Sequence, residues 1–140
     1  MAQDVRLKSL LVPSKTVEAE FPGFPGFVLE LSFIGRDGLI NLRKKSTKTT
    51  FKGRQTHEEF NEDLFLELYT DATIKNWRGL KFKYVDLLVP VDVTQYDPED
   101  ELAYSRENAL MLIKNSTDFD SFVSEKVNDL GNFSTNSKQS

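Results

Sequence analysis

The chain has 140 residues, the length of one ordinary domain, and a domain of this size buries roughly two thirds of the surface that its unfolded chain exposes. It contains no cysteine, which excludes disulfides, thiol nucleophiles and thiolate metal sites. The net charge of −4 argues against nucleic acid and anionic membranes as partners, and because no apolar run has the length of a signal peptide or a transmembrane helix, we expect a cytoplasmic protein.

The first predicted element is an antiparallel β-hairpin. Residues 17–21 and 27–34 each carry apolar side chains at every second position, which is the period of a strand. The connection reads Phe21-Pro22-Gly23-Phe24-Pro25-Gly26-Phe27, and its two Pro-Gly pairs favour turns. The segment Val5–Val12 is a candidate third strand of the same sheet.

Three aromatic residues, Phe21, Phe24 and Phe27, lie at the tip of this predicted hairpin. Exposed aromatic side chains on a rigid turn are good anchors for a protein partner. They serve equally well as core residues if the tip folds back. The exposure of Phe24 distinguishes the two interpretations, and Trp77 is a further candidate contact residue.

The next predicted elements are two helices that carry opposite charges. A short helix over Arg36–Ser46 leads into six cations that no acid interrupts. A helix over residues 57–74 follows, with a capping box formed by Thr56 and Glu59, and with acidic side chains in its first turns.

The basic run from Arg43 to Arg54, which begins with Arg43, Lys44 and Lys45, has three interpretations. It can pair with the neighbouring acids, either within the fold or between copies of the protein; it can be a solvated face; or it can contact nucleic acid. Pairing between copies predicts self-association.

The second half of the chain is predicted to be mainly helical. The apolar spacing from Leu80 to Leu88 favours a helix that ends by Val89, whereas Pro90 and the β-branched residues also fit an extended segment over residues 81–93. An acidic loop covers Asp92–Glu101, and Ser105 caps a helix that runs through Ile113. Thr117 and Asp120 form a second capping box before a helix that Gly131 ends, and residues 134–140 form a polar, disordered tail. The predicted fold class is α+β, an antiparallel hairpin or three-stranded sheet followed by four to five helices.

Catalytic chemistry has no support in these patterns. The single histidine, His57, opens the sequence His57-Glu58-Glu59-Phe60-Asn61, in which Asn61 replaces the second ligand of a zinc-protease helix. The acidic loop lacks the glycine and the ligand spacing of a calcium site, and no glycine-rich phosphate loop is present. We therefore expect no enzyme activity, no metal and no cofactor.

A resemblance to a known protein family adds a functional prediction to these patterns. The sequence Trp77-Arg78-Gly79-Leu80, an acidic stretch, and the block Leu102-Ala103-Tyr104-Ser105-Arg106-Glu107-Asn108 resemble the phage tail assembly chaperones. The stretch Asn115–Asp120 and the early segment from Glu20 to Asp37 also resemble one branch of that family. Ala103 and Arg106 depart from the family pattern, which has proline at both positions.

The resemblance implies a single domain over residues 1–133 that binds the tape measure protein in the host cytoplasm and keeps it soluble. It also implies help in recruiting tail tube subunits through an extended form, made in many members by a programmed frameshift, and absence from the mature virion. The alternative is a structural tail completion or head-to-tail connector protein of the phage particle.

Overall fold

The computed structural model of the chain describes residues 16–128. Within them five strands and five helices form an α+β fold, which confirms the predicted fold class. The elements in chain order are β1 (Thr16–Glu20), β2 (Val28–Ser32), α1 (Arg36–Lys45), β3 (Thr47–Lys52), β4 (Gln55–Phe60), α2 (Glu62–Thr73), β5 (Ile74–Arg78), α3 (Phe82–Leu88), α4 (Arg106–Asn115) and α5 (Thr117–Asn128).

The first sheet has the order β1-β2-β5 and both of its pairings are antiparallel. Val17 lies opposite Leu31 in the predicted hairpin, and Leu29 of the central strand lies opposite Trp77 of β5. The third strand is thus contributed from the middle of the chain, whereas the candidate strand Val5–Val12 lies outside the described residues. An irregularity between Glu30 and Leu31 shifts the register of the second pairing.

The second sheet is a hairpin of β3 and β4, and it corrects the predicted helix over 57–74. The capping box of Thr56 and Glu59 is not formed, because both residues lie in β4. A two-residue turn at Gly53-Arg54, with Gly53 at φ 64°, reverses the chain; positive φ at the first turn position is the type II′ pattern that matches strand twist. The helix begins only after Asn61, whose side-chain oxygen accepts a hydrogen bond of 3.0 Å from the Leu64 N–H.

The remaining helices follow the sequence patterns closely. Helix α1 covers the predicted span, α3 ends at Leu88, and Ser105 caps α4 by accepting from the Asn108 N–H at 3.0 Å. The N-cap of α5 is Ser116, whose hydroxyl oxygen accepts a hydrogen bond of 3.1 Å from the Phe119 N–H. The predicted capping box of Thr117 and Asp120 is therefore wrong by one residue. Gly131 and the predicted tail lie outside the described residues.

One hydrophobic core joins the first sheet to the helices. The largest fully buried apolar side chains come from β2, β5, α5 and the connections between them: Phe27, Leu29, Leu31, Ile74, Leu80, Phe119, Val123 and Val127. In the part of the chain that the structure describes, no helix is long and apolar enough to span a membrane.

Candidate functional site

The aromatic tip of the first hairpin folds back onto the core. Two consecutive turns change the direction of the chain here, with Gly23 at φ 84° and Gly26 at φ 86°. This is the pattern of type II turns with Pro-Gly at their centres. Phe21 and Phe27 are buried, and the half-buried Phe24 stacks on Tyr84 with ring centroids 4.8 Å apart. Phe21 and Phe27 therefore have the core arrangement, whereas Phe24 packs on the core with one side and keeps part of its surface exposed.

Trp77 is a core residue with 6% of its surface exposed. Its indole Nε1–H donates to the Leu102 carbonyl oxygen at 2.9 Å, and its ring meets Tyr104 edge to face at 5.2 Å. The Tyr104 hydroxyl in turn donates to the Ile74 carbonyl oxygen at 3.1 Å. The two sequence blocks that carry the family resemblance therefore contact each other and brace β5 against the segment before α4.

Gly79 allows the end of β5 to pack closely against the first hairpin. Its φ is 76°, and a Cβ built at this position would lie 1.9 Å from the Gly26 carbonyl oxygen. Its N–H donates to the Glu101 carboxylate at 2.6 Å, and the neighbouring Leu80 carbonyl accepts from the Leu102 N–H at 2.8 Å. A side chain at residue 79 would force the two segments apart.

Arg106, one of the departures from the family pattern, makes its own contact at the start of α4. Its guanidinium forms two charge-assisted hydrogen bonds with the carboxylate of Asp71 in α2, one of them 2.7 Å long. At the position where the family pattern has proline, this chain thus has an arginine that connects α4 to α2 by an ion pair.

The candidate cations Arg43, Lys44 and Lys45 are exposed in the last turn of α1, where positive charge complements the helix dipole. Arg43 lies over the Phe65 ring at 5.9 Å. Between residues 16 and 128 no ion pair joins the basic run 43–54 to the acids at 58–63. The fold therefore leaves this charge unpaired within one copy.

Glu99 fastens the acidic loop to α3. Its carboxylate accepts from Lys81 at 2.8 Å and from Lys83 at 2.6 Å, and these two hydrogen bonds lower the pKa of Glu99 to about 2. The Phe82 N–H also donates to the Asp100 carbonyl oxygen at 2.8 Å. The acidic loop is thus attached to the start of α3.

An apolar groove runs beside α4. It has a volume of about 340 Å³, at the lower end of the range for ligand pockets. The end of α3, the segment after it and one side of α4 provide its lining: Val85, Val89, Pro90, Val91, Leu102, Asn108, Met111, Leu112 and Asn115. We call this feature the α4 groove.

The α4 groove is suited to binding apolar side chains. Met111 is 45% exposed and Val91 41%, so apolar surface continues from the groove to the solvent. The amides of Asn108 and Asn115 donate to backbone carbonyls of their own segment, at 3.1 Å and 2.8 Å. Aliphatic and amide groups bind a partner but do not act as acids, bases or nucleophiles.

The sequence around Met111 contains a signal for the α4 groove that is absent from the predictions above. Residues 110–113 are four consecutive apolar side chains, which is more than one buried helix face requires. Leu112 and Ile113 are buried, so Met111 is left on the outside. The sequence favours the tip aromatics and Trp77 as contact residues instead, because large aromatic side chains are common in interfaces as well as in cores.

The comparison with protein families gave a match over most of the chain. The family model described as YdaY prophage protein matches residues 37–140, which begins at the second residue of α1 and includes every later element. Neither the comparison with curated proteins nor the comparison with solved structures gave a match.

Proposed function

Since the chain belongs to the YdaY prophage protein family and is therefore a phage-derived protein, we propose that it is a tail assembly chaperone that binds the tape measure protein. The observation that carries the proposal is the α4 groove, whose apolar surface continues onto the exposed side chains of Met111 and Val91. The resemblance of the Trp77 and Tyr104 blocks to the phage tail assembly chaperones supports it.

The α4 groove matches the chemistry of such a client. A tape measure protein is long, helical and apolar, and a helix presents side chains at positions i, i+3 and i+4 to a groove. The exposed apolar rim can cover part of that stripe and keep it from aggregating. Because the contact area of one groove is small, each contact is weak, which suits a coat that is later removed.

The remaining steps of the proposed role follow from the resemblance. The chaperone acts in the host cytoplasm, has no catalytic activity, and leaves before the virion is complete. A longer form, made by a programmed frameshift, helps to recruit tail tube subunits.

Co-expression with the tape measure protein of the same prophage tests the client contact. The wild-type chain is expected to keep that protein in the soluble fraction, and Met111→Glu is expected to leave it in the pellet because a carboxylate would enter the apolar groove. Ile40→Glu is the matched control, since Ile40 is also on a helix surface and is 43% exposed. Equal solubility with Met111→Glu and Ile40→Glu would exclude the groove as the contact site.

A protein census of purified virions tests the role itself. A chaperone is expected in the infected cell and absent from the particle. A fixed number of copies in each virion would instead support the alternative, a tail completion or connector protein.

A further inference from the structure

The hairpin of β3 and β4, residues 47–60, protrudes from the body of the protein. Every residue from Phe51 to Phe60 is exposed, and Phe51 has 77% of its surface in contact with solvent. At its base Phe60 contacts the Phe65 ring of α2, with ring centroids 5.6 Å apart, and a two-stranded hairpin that packs on the body only at its base is marginally stable in water. A hairpin that exposes its aromatic side chains in this way has a surface available for a partner.

The two ends of the hairpin carry opposite charges. The tip has Phe51 together with the cations Lys52 and Arg54. The base has Phe60, which is 53% exposed, beside a hollow of about 420 Å³. The lining of that hollow includes one cation and three acids, so its formal charge is −2: Lys48, Glu59, Phe60, Asn61, Glu62 and Asp63.

These end charges are largely unpaired within one copy. Asp63 lies 3.4 Å from Lys114, but in the stretch from residue 16 to 128 no ion pair involves Lys52, Arg54, Glu59 or Glu62. The charges are therefore available to a partner.

The register of the hairpin places both phenylalanines on one face. Phe51 lies opposite Thr56 and Phe60 lies opposite Thr47, and alternate side chains of a strand share a face. The tip and the base are roughly 17 Å apart, because five residue steps of about 3.4 Å separate Thr47 from Lys52. By the same alternation Lys52 and Glu59 lie on the other face of the hairpin. The first face therefore has a phenylalanine near each end, with Arg54 in the turn beyond Phe51 and the acids Glu62 and Asp63 in the hollow beside Phe60.

We propose that two copies of this chain associate through these hairpins around a two-fold axis, so that the tip of each hairpin occupies the hollow at the base of the other. The two-fold axis is perpendicular to the strands, so the two hairpins run in opposite directions. The tip of each copy therefore meets the base of the other, and both contacts form together. Each contact joins Phe51 to Phe60 and brings a cationic tip to an acidic hollow. The inference does not depend on the proposed client.

A second copy fits this surface better than an unrelated partner does. The two ends are complementary to each other in charge and in aromatic content, and their separation is the same in both copies. The same axis brings Glu58, which lies opposite Thr49 near the middle of this face, close to its own copy. The like charges oppose association, which keeps the dimer weak.

Light scattering of the full chain at low and high salt tests the proposal. The wild-type protein is expected to reach dimer mass at low salt and to shift toward monomer at high salt, where the charges are screened. Phe51→Ser is expected to be monomeric, whereas Leu87→Ser, which alters a residue with 71% exposure, is expected to remain dimeric. Glu58→Gln is expected to increase the dimer fraction.

A charge exchange identifies the arrangement. The tip variant Lys52→Glu with Arg54→Glu and the base variant Glu59→Lys with Glu62→Lys are each expected to be monomeric alone. Mixed in equal amounts they are expected to form a heterodimer, because each tip then meets a base of opposite charge. Circular dichroism confirms that each variant is folded.

Three results would overturn the proposal: monomer mass for the wild-type protein at low salt, dimer mass for Phe51→Ser, or folded charge variants that fail to associate when mixed. None of these results bears on the client test, because the α4 groove shares no residue with the hairpin.

Discussion

Single residues decide how the segments of this protein approach one another. Gly79 has a positive φ and lies against the Gly26 carbonyl oxygen, while Trp77, two residues earlier, donates a hydrogen bond to the Leu102 carbonyl oxygen. Both residues belong to the Trp-x-Gly sequence that carries the family resemblance. A motif that looks like a binding signature is here a packing requirement, because only glycine fits between the two backbones.

Gly79→Ala is therefore expected to destabilise the protein by roughly 2–5 kcal/mol, the sum of left-handed backbone strain and overpacking. Gly53→Ala is the matched control: Gly53 also has positive φ, but nothing lies within 4 Å of its added Cβ. That variant is expected to lose about 1 kcal/mol. Urea unfolding measures the loss of unfolding free energy in each variant. Equal losses would show that the close approach of residue 79 to Gly26 does not affect stability.

The Glu99 carboxylate gives the protein a defined acid response. Its pKa of about 2 lies below the ordinary value of 4.5, because Lys81 and Lys83 stabilise the charged form. The contribution of Glu99 to stability is therefore complete above pH 4.5 and is lost as the pH falls toward 2. Removing the carboxylate should matter at neutral pH and cease to matter in acid.

Thermal unfolding of Glu99→Gln measures this dependence. Its Tm is expected to be below that of the wild-type protein at pH 7, and the difference is expected to shrink steadily as the pH approaches 2. Glu125→Gln is the control, since Glu125 is exposed and makes no ion pair anywhere in residues 16–128. A difference for Glu99→Gln that stays constant with pH would contradict the assigned contacts.

At the scale of elements, the segment from Thr47 to Thr73 shows how a turn overrides a helical pattern. Residues 57–60 have acids and a capping signal typical of a helix start, yet they form a strand. The Gly53-Arg54 turn brings them beside a strand rich in threonine, and each residue from Gln55 to Phe60 gains a partner across the hairpin. The helix then starts where Asn61 offers a cap.

The two alternative helix starts make opposite predictions for alanine substitutions. Asn61→Ala is expected to cost about 1 kcal/mol of stability, because it removes the side chain that accepts from the Leu64 N–H. Thr56→Ala is expected to change stability by less than about 0.5 kcal/mol, since Thr56 is exposed in a strand. A larger loss for Thr56→Ala in chemical unfolding would favour the longer helix.

The whole molecule presents two separate surfaces on one core. The α4 groove is formed by α3, α4 and the segment after α3, whereas the protruding hairpin precedes α2. The groove is apolar and is the proposed contact site for the client; the hairpin is charged and aromatic and is the proposed contact site for a second copy. With separate surfaces, the proposed binding of a client and the proposed binding of a second copy can occur at the same time.

This separation predicts two independent losses. Met111→Glu is expected to abolish the solubilising effect on the tape measure protein and to leave the dimer mass unchanged. Phe51→Ser is expected to do the reverse. Co-expression and light scattering on both variants provide the measurements, and a variant that loses both properties while still folded would show that the two surfaces are coupled.

The sequence by itself determined the features that depend on a few neighbouring residues. The Pro-Gly pairs between Phe21 and Phe27 predicted the first hairpin, and Ser105 predicted the start of α4. The polar and apolar periods predicted the α+β class and most of the helices. Such signals are local because turns, caps and amphipathic faces are formed by residues within one or two turns of each other.

Only the tertiary structure decided which aromatic residues are buried, which segment completes the first sheet, and where a groove opens. Trp77 and Phe21 are buried because β5 pairs with β2 and α5 covers them, and no local pattern specifies those distant contacts. Met111 is exposed because Leu112 and Ile113 use the face of α4 that meets the core. Strand pairing and burial depend on residues far apart in the chain, so the candidate site was defined only once the chain had folded.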